Sequence, residues 1–130
     1  MQILVVDDDP LAGEMTAAIL EASGHTPLLA ENGIEALEML ADTPTIGLIV
    51  SDMNMPFVSG HELLLTLREQ GTETPFILLS GDDLASPSLL LSDTGPDACL
   101  LKDFSLEERL IETIEAILAR RSSQNHSKPW

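Results

Sequence analysis

The sequence is poor in basic residues. It holds 6 Lys and Arg against 22 Asp and Glu, which gives a formal net charge of −16 over 130 residues. Binding to nucleic-acid phosphates requires clustered Lys and Arg, whereas only Arg120 and Arg121 are adjacent here. Direct nucleic-acid binding by this chain is therefore not expected. The acidic balance favours a solvated surface, with room for a cation or a basic partner.

Three further absences narrow the class of protein. Cys99 is the single cysteine, so no internal disulfide can form. No apolar run approaches the roughly 18 residues that a membrane-spanning helix needs. The first residues lack a basic segment followed by a long apolar stretch, so a secretory signal is not expected. These features predict a cytoplasmic protein with no membrane association.

Apolar and amphipathic segments alternate along the chain. Short apolar runs at 3–6, 26–30, 46–50, 75–80 and 98–101 are typical of strands, and helical patterns begin near residues 10, 32, 60, 86 and 106. Pro27 cannot donate to a strand ladder, which places the second strand at a sheet edge. Five strands alternating with five helices predict one α/β domain with a parallel sheet covered on both faces.

Two ends of predicted helices are readable. In the first helix Leu11, Met15 and Ile19 recur every four residues, and Gly24 follows as a stop signal. The last helix is predicted to end near Arg121. The remaining residues, 122–130, are polar and aperiodic, which indicates a tail or the start of a linker.

Polar side chains follow four of the five predicted strands. Asp7 and Asp8 follow the first strand, Asp52 the third, Ser80 the fourth and Lys102 the fifth. Ligands of open parallel sheets bind beyond the carboxyl ends of the strands. We therefore expect these side chains to converge at one edge of the sheet.

Such a cluster requires that some of its carboxylates are protonated or that a cation binds. Carboxylates of Asp7, Asp8 and Asp52 within about 5 Å would repel by roughly 3 kcal/mol per pair at an effective dielectric near 20. An all-oxygen site of this kind suits Mg²⁺. Asp52 can act as a nucleophile towards a phosphoryl group, and Lys102 and Ser80 can hold its oxygens.

Asp9 has a separate predicted role. It precedes Pro10, and Asp followed by Pro is a natural pair for the N-cap and first turn of a helix. We expect Asp9 to cap the first helix without binding metal. The three histidines are scattered without ligand spacing and are interpreted as surface residues.

The ordered segments "ILVVDDDP", "VSDMNMPFVSG", "LLSG" and "LLKDF" resemble the receiver domain of bacterial response regulators in two-component and phosphorelay signalling. The resemblance spans about residues 2–120 and implies a receiver domain over 1–121. It implies a flavodoxin-like, doubly wound sheet of order 2-1-3-4-5 and a switch module that is not an enzyme. A sensor histidine kinase or a histidine phosphotransfer protein would phosphorylate Asp52.

The resemblance also implies the roles of individual residues. Asp7, Asp8 and Asp52 would hold Mg²⁺ together with the backbone carbonyl of Asn54. Ser80 would be the switch hydroxyl, and Lys102 would bind the phosphate.

Three positions depart from the family pattern. Asp103 follows Lys102 where most receivers have a proline in a cis peptide, and a trans bond is predicted because a non-proline cis bond costs about 3–4 kcal/mol. Cys99 replaces the usual aromatic switch residue. The helix after Ser86 is short and carries three consecutive leucines, so the region 82–104 is a candidate contact surface for a homodimer.

Two other functions remain open at this point. One is a receiver-like interaction module that works without phosphorylation, which the departures at Cys99 and Asp103 allow. The other is a Mg²⁺-dependent phosphohydrolase of the haloacid-dehalogenase type, with Asp7 as its nucleophile. The chain has no cap insertion to bind a substrate, and this counts against the hydrolase.

Overall fold

The computed structural model describes residues 1–53, 55, 57–81, 96–102 and 105–126. Within them the strands are β1 (Gln2–Val6), β2 (Thr26–Ala30), β3 (Ile46–Asp52), β4 (Phe76–Ser80) and β5 (Ala98–Leu101). The helices are α1 (Pro10–Ala22), α2 (Gly33–Asp42), α3 (Gly60–Glu69) and α4 (Leu106–His126). The predicted short helix after Ser86 lies outside the described residues.

The strands form one parallel sheet in the order β2-β1-β3-β4-β5. This confirms the predicted topology and the edge position of β2, where Pro27 lacks a backbone donor. Successive side chains of a strand point to opposite faces, and the apolar residues of β1 divide accordingly. Leu4 and Val6 pack on the α2–α3 side, and Ile3 and Val5 pack on the α1–α4 side.

Two apolar layers hold the helices to the sheet. On one face the central strands meet buried side chains of α2 and α3, such as Ala36, Leu63 and Leu67. On the other face they meet Leu20 of α1 and Leu110 of α4. Helices on both faces of a parallel sheet leave its carboxyl edge open, and this edge carries the candidate site.

The four-residue repeat in α1 identified the helix but not its buried side. Leu11 and Met15 are 65% and 62% exposed, whereas the buried residues are small or follow a different stripe: Gly13, Thr16, Ala17 and Leu20. A Cβ on Gly13 would lie 3.5 Å from Leu29 Cδ2 and 3.6 Å from Asp7 Cβ, at ordinary contact distance, so this face of α1 lies close to β2 and to the first loop. The close approach of α1 to the sheet places the start of the helix beside the site.

The ends of the helices follow from local chemistry. Gly24 has φ +88° and lies just past α1, as predicted. Its N–H donates to the Glu21 carbonyl, and the His25 N–H donates to the Leu20 carbonyl, which closes the helix end. The last helix continues to His126, five residues beyond its predicted end near Arg121. The assignment of 122–130 as a tail or the start of a linker stays a prediction.

Candidate functional site

The carboxyl ends of four neighbouring strands meet at one edge of the sheet. Asp7 follows β1, Asp52 ends β3, Ser80 ends β4 and Lys102 follows β5. Backbone hydrogen bonds between neighbouring strands align these ends with one another. The Lys102 N–H donates to the Ser80 carbonyl at 2.8 Å. The Met53 N–H likewise donates to the Leu79 carbonyl at 2.8 Å. The sheet thus brings these side chains together as its topology requires.

Three carboxylates form the centre of the site. One oxygen each from Asp7, Asp8 and Asp52 lies within 4.8 Å of the others. Asp7 and Asp52 are buried, whereas Asp8 is exposed to solvent. Like charges at this separation repel, so the arrangement costs free energy unless cations compensate for it.

Lys102 supplies one compensating charge. Its Nζ lies 3.1 Å from Asp7 Oδ2 and 3.2 Å from Asp52 Oδ1. Burial alone would lower the pKa of Lys102, but the hydrogen bond to Asp7 and the charges of Asp52 and Asp7 outweigh it, so the pKa is raised. The lysine is therefore a fixed cation at neutral pH, and it neutralises one of three negative charges.

Asp7 and Asp9 share the first loop but have different partners. The Asp7 backbone N–H donates to the Ala30 carbonyl at 3.0 Å, and Asp7 Oδ1 accepts from the Asp9 N–H at 2.9 Å. Asp9 turns its own carboxylate to the Leu11 N–H at 3.1 Å and caps α1. The predicted capping role of Asp9 is confirmed. It lies outside the group of carboxylates that could share a cation.

Ser80 and Cys99 lie on the two strands beyond Asp52. Ser80 is buried at the end of β4, one strand away from Asp52. Cys99 is half-buried, packs against the α2–α3 side of the sheet, and has its thiol pKa raised by burial. Asn54 and Asp103 lie outside the described residues, and so does most of the region 82–104.

The loop from Asp52 to α3 shows two features that the sequence reasoning did not identify. A Cβ on Gly60 would overlap the Asp52 carbonyl oxygen and lie 2.8 Å from Leu78 Cδ2, so only glycine fits where α3 begins. Phe57 has a left-handed backbone with φ +69° and is 91% exposed. The Ser-Gly pair before an amphipathic run could have indicated the first feature, whereas no pattern indicates the second.

Comparison with known proteins identifies the family. The family model for the response regulator receiver domain matches residues 3–115, which is most of the chain. This chain belongs to the response regulator receiver family. Receiver domains of this family are the signalling domains of two-component systems, which agrees with the resemblance seen in the motifs.

Curated relatives support the same assignment. The receiver domain is 40% identical to response regulator MprA of Mycobacterium ulcerans (strain Agy99) over 121 residues, 92% of this chain and 51% of the relative. It is 36% identical to response regulator MprA of Mycobacterium avium (strain 104) over 129 residues, 98% of this chain and 55% of the relative. The chain spans about half the length of these curated relatives.

Solved structures agree in fold. A response regulator receiver domain protein from Clostridium thermocellum superposes with a TM-score of 0.83 at 24% identity, covering 95% of this chain and 98% of that one. The response regulator protein TrrA from Thermotoga maritima, in complex with Mg²⁺ and BeF, has a TM-score of 0.77 at 32% identity, covering 88% and 96%. In the described part of this receiver domain, no helix is long and apolar enough to cross a membrane.

Proposed function

We propose that Asp52 of this receiver domain accepts a phosphoryl group from a sensor histidine kinase or a histidine phosphotransfer protein. The proposal rests on the setting of its side chain, which is only 10% exposed, ends the central strand β3 and lies 3.2 Å from the Lys102 ammonium. A carboxylate recessed beside a fixed cation is placed to accept an anionic group and to retain it.

The transfer requires one bond to form and one to break. An oxygen of Asp52 attacks the phosphorus of a phosphohistidine, the P–N bond breaks, and the imidazole leaves with the bonding electron pair. The product is an acyl phosphate on Asp52. Lys102 neutralises charge on the phosphoryl oxygens, and the Ser80 hydroxyl donates to one of them once the group is attached.

Mg²⁺ is the proposed cofactor. The donor set fits it, because Asp7, Asp8 and Asp52 offer three carboxylate oxygens at close range and Lys102 leaves two negative charges uncompensated. The Asn54 carbonyl, the fourth predicted ligand, lies outside the described residues. When bound, the ion offsets the negative charge that accumulates on the transferred phosphoryl group.

Both carboxylate oxygens of Asp7 already have donors. Asp7 Oδ1 accepts from the Asp9 N–H, and Asp7 Oδ2 accepts from Lys102 Nζ. These contacts lower the reactivity of both oxygens and count against a phosphohydrolase with Asp7 as its nucleophile.

The remaining parts of the proposal concern the partners. We propose a cytoplasmic switch that does not itself bind nucleic acid. A homodimer through 82–104 stays a prediction, since most of that region lies outside the described residues.

A direct test uses a small phosphodonor. With Mg²⁺ and acetyl phosphate, we expect the wild type to gain one phosphoryl group by intact-protein mass spectrometry, and peptide mapping should place it on Asp52. Asp52→Asn should abolish the label. Asp42→Asn, the same charge change at the exposed end of α2, should leave labelling unchanged.

The other functions predict different results. A label on Asp7 with continuous turnover would indicate a phosphohydrolase. No label from acetyl phosphate, together with no binding of beryllofluoride and Mg²⁺, would indicate an interaction module that works unphosphorylated.

A further inference from the structure

Phe57 occupies a backbone conformation that is unfavourable for its side chain. Its φ is +69°, and it is the one non-glycine residue with positive φ in the described part of the chain. In this region a side chain with a Cβ approaches the following carbonyl oxygen, so glycine and asparagine are preferred. Such strain persists only where the surroundings impose it, and it is concentrated at functional sites.

Contacts on either side of Phe57 hold the loop in this strained conformation. The Gly60 N–H donates to the Met53 carbonyl at 3.0 Å, which closes the loop on itself. Ser59 and Glu62 form a capping box that fixes the start of α3. A Cβ on Gly33 would lie 2.9 Å from Val58 Cγ1, so the loop also presses against the first turn of α2. The loop is thus held on both sides of Phe57.

The phenyl ring of Phe57 does not stabilise this loop by burial. Phe57 is 91% exposed, which is the highest value among the exposed large apolar residues of the described part of the chain. A phenyl ring in water gains no burial energy, and glycine or asparagine would adopt the same backbone at lower cost. Among the described residues, the aromatic side chain has no partner that would account for it.

The position of Phe57 points to a partner outside the domain. Phe57 lies three positions before Gly60, so their Cα atoms are at most about 11 Å apart, and Gly60 packs on the Asp52 backbone. Because the Asp52 carboxylate is recessed, a protein that delivers a phosphoryl group to it must cover the surrounding rim. Phe57 stands on that rim.

A second apolar residue extends the surface. Ile34, in the first turn of α2, is 55% exposed and follows Gly33, which contacts Val58. Phe57 and Ile34 are thus the exposed chain neighbours of two residues in contact, and the pair is here called the Phe57 patch. Phe57 follows Asp52 by five positions, and Asp52 is one of three clustered carboxylates in a chain of net charge −16. Charge complementarity then favours a partner surface that is apolar at its centre and basic around it.

We propose that the Phe57 patch is a recognition surface for the protein phosphodonor of Asp52, and that Phe57 determines which phosphohistidine protein is accepted. The inference rests on the proposed function, because it requires Asp52 to be phosphorylated by a protein. The ring packs against the donor and orients it over the recessed carboxylate. The strained backbone is retained because it holds the ring in the path of the donor.

The test compares the rate of phosphoryl transfer from a protein donor with the rate of labelling by acetyl phosphate. Autophosphorylated catalytic domains of sensor kinases are screened for transfer to the wild type, and the fastest is used with the variants. Phe57→Asn keeps a residue suited to the left-handed backbone and removes the ring. We expect transfer from the kinase to slow about tenfold or more, labelling by acetyl phosphate to stay within twofold, and Tm to stay equal or rise.

Two further variants sharpen the result. Phe57→Tyr keeps the ring and should restore transfer to within about threefold of the wild type. Leu65→Gln changes another exposed apolar residue on the middle of α3, and it should leave both rates unchanged.

Several outcomes would overturn the inference. Kinase transfer to Phe57→Asn within twofold of the wild type would remove any recognition role. An equal fall with acetyl phosphate would place the ring in the chemistry at Asp52. A shift from dimer to monomer in ultracentrifugation would make a second copy the occupant. Labelling by acetyl phosphate but by no kinase would exclude a protein donor, whereas labelling by neither would overturn the proposed function itself.

Discussion

The two edges of the sheet use charged residues in opposite ways. At the carboxyl edge, three clustered carboxylates have one lysine, which contacts two of them, so two negative charges stay uncompensated. At the amino edge, one arginine and one aspartate form a fully partnered set. The edge that carries the candidate site thus differs from the edge whose charged residues stabilise the receiver domain.

The amino edge is held by Arg68 and Asp97. Arg68 Nη1 donates to the carbonyls of Thr72 and Thr74 at 2.9 and 3.0 Å. Arg68 Nη2 lies 3.7 Å from Asp97 Oδ2, which also accepts from the Phe76 N–H at 2.8 Å. One aspartate thereby joins the end of α3 to the starts of β4 and β5.

The two edges differ in how well their polar groups are partnered, and therefore in what they contribute to the stability of the domain. A buried polar group with partners adds to stability, and the same group without them costs more than the bond was worth. The amino edge satisfies its charges internally. The carboxyl edge leaves two negative charges uncompensated by its lysine, and the loop that follows Asp52 carries the strained Phe57 backbone.

The largest expected effect comes from breaking the amino edge. Asp97→Ala leaves the buried Phe76 N–H without its acceptor and Arg68 without its counter-ion, so we expect a loss of about 2 kcal/mol in the free energy of unfolding. Urea denaturation measures it. Asp97→Asn keeps an acceptor and should lose less than half as much. Equal losses in the two variants would show that charge, and not the hydrogen bond, holds this edge.

A smaller effect of opposite sign is expected at the carboxyl edge. Asp8→Asn removes one repelling charge and should raise the free energy of unfolding by about 0.5–1 kcal/mol at low salt without Mg²⁺. The same variant should bind Mg²⁺ at least tenfold more weakly by calorimetry, because a proposed ligand is lost.

Asp9→Asn is the matched control for that variant. It changes the net charge equally, and asparagine is an equally good N-cap, so both stability and Mg²⁺ affinity should stay near those of the wild type. A comparable fall in Mg²⁺ affinity in Asp9→Asn would assign the effect to overall charge instead of ligation.

The smallest effect concerns His25, which lies beside the start of the sheet. Burial lowers its pKa, the N-terminal amine lowers it further, and Glu115 opposes both. Its Nδ1 is buried without a partner, so the interpretation of His25 as a surface residue was incomplete. The folded state therefore disfavours the protonated ring, and stability should fall as the pH drops below the unfolded value of about 6.5.

The contribution of His25 to the free energy of unfolding is measured over a series of pH values. Between pH 7.5 and 5.5 the wild type should lose less than about 0.5 kcal/mol through this group, because solvent screens it. His25→Asn should show a flatter profile over that range, and His61→Asn should follow the wild type. A wild type whose stability rises as the pH falls would contradict the assignment.

Much of this architecture was predictable from local patterns. Continuous apolar runs found the buried strands because both faces of a parallel sheet are covered. Asp9-Pro10 and Gly24 marked the ends of α1 because caps depend on a few neighbouring atoms. The grouping of Asp7, Asp52 and Lys102 followed from strand ends alone, since parallel strands finish at the same edge.

Other features depend on contacts that no local pattern records. The buried side of α1 is the stripe Gly13, Thr16, Ala17 and Leu20, so the repeat that includes Leu11 and Met15 pointed to the wrong face of the helix. The left-handed Phe57 backbone results from packing on both sides of its loop. Arg68 and Asp97 are 29 positions apart, and only the fold brings them together.

Gly60 has a mechanical consequence. Since no methyl group fits between α3 and the Asp52 carbonyl, the two backbones are in direct contact and share the hydrogen bond from Gly60 to Met53. The end of β3 and the start of α3 therefore have no free space between them. A displacement of the Asp52 backbone would be passed directly to the first turn of α3 through this contact.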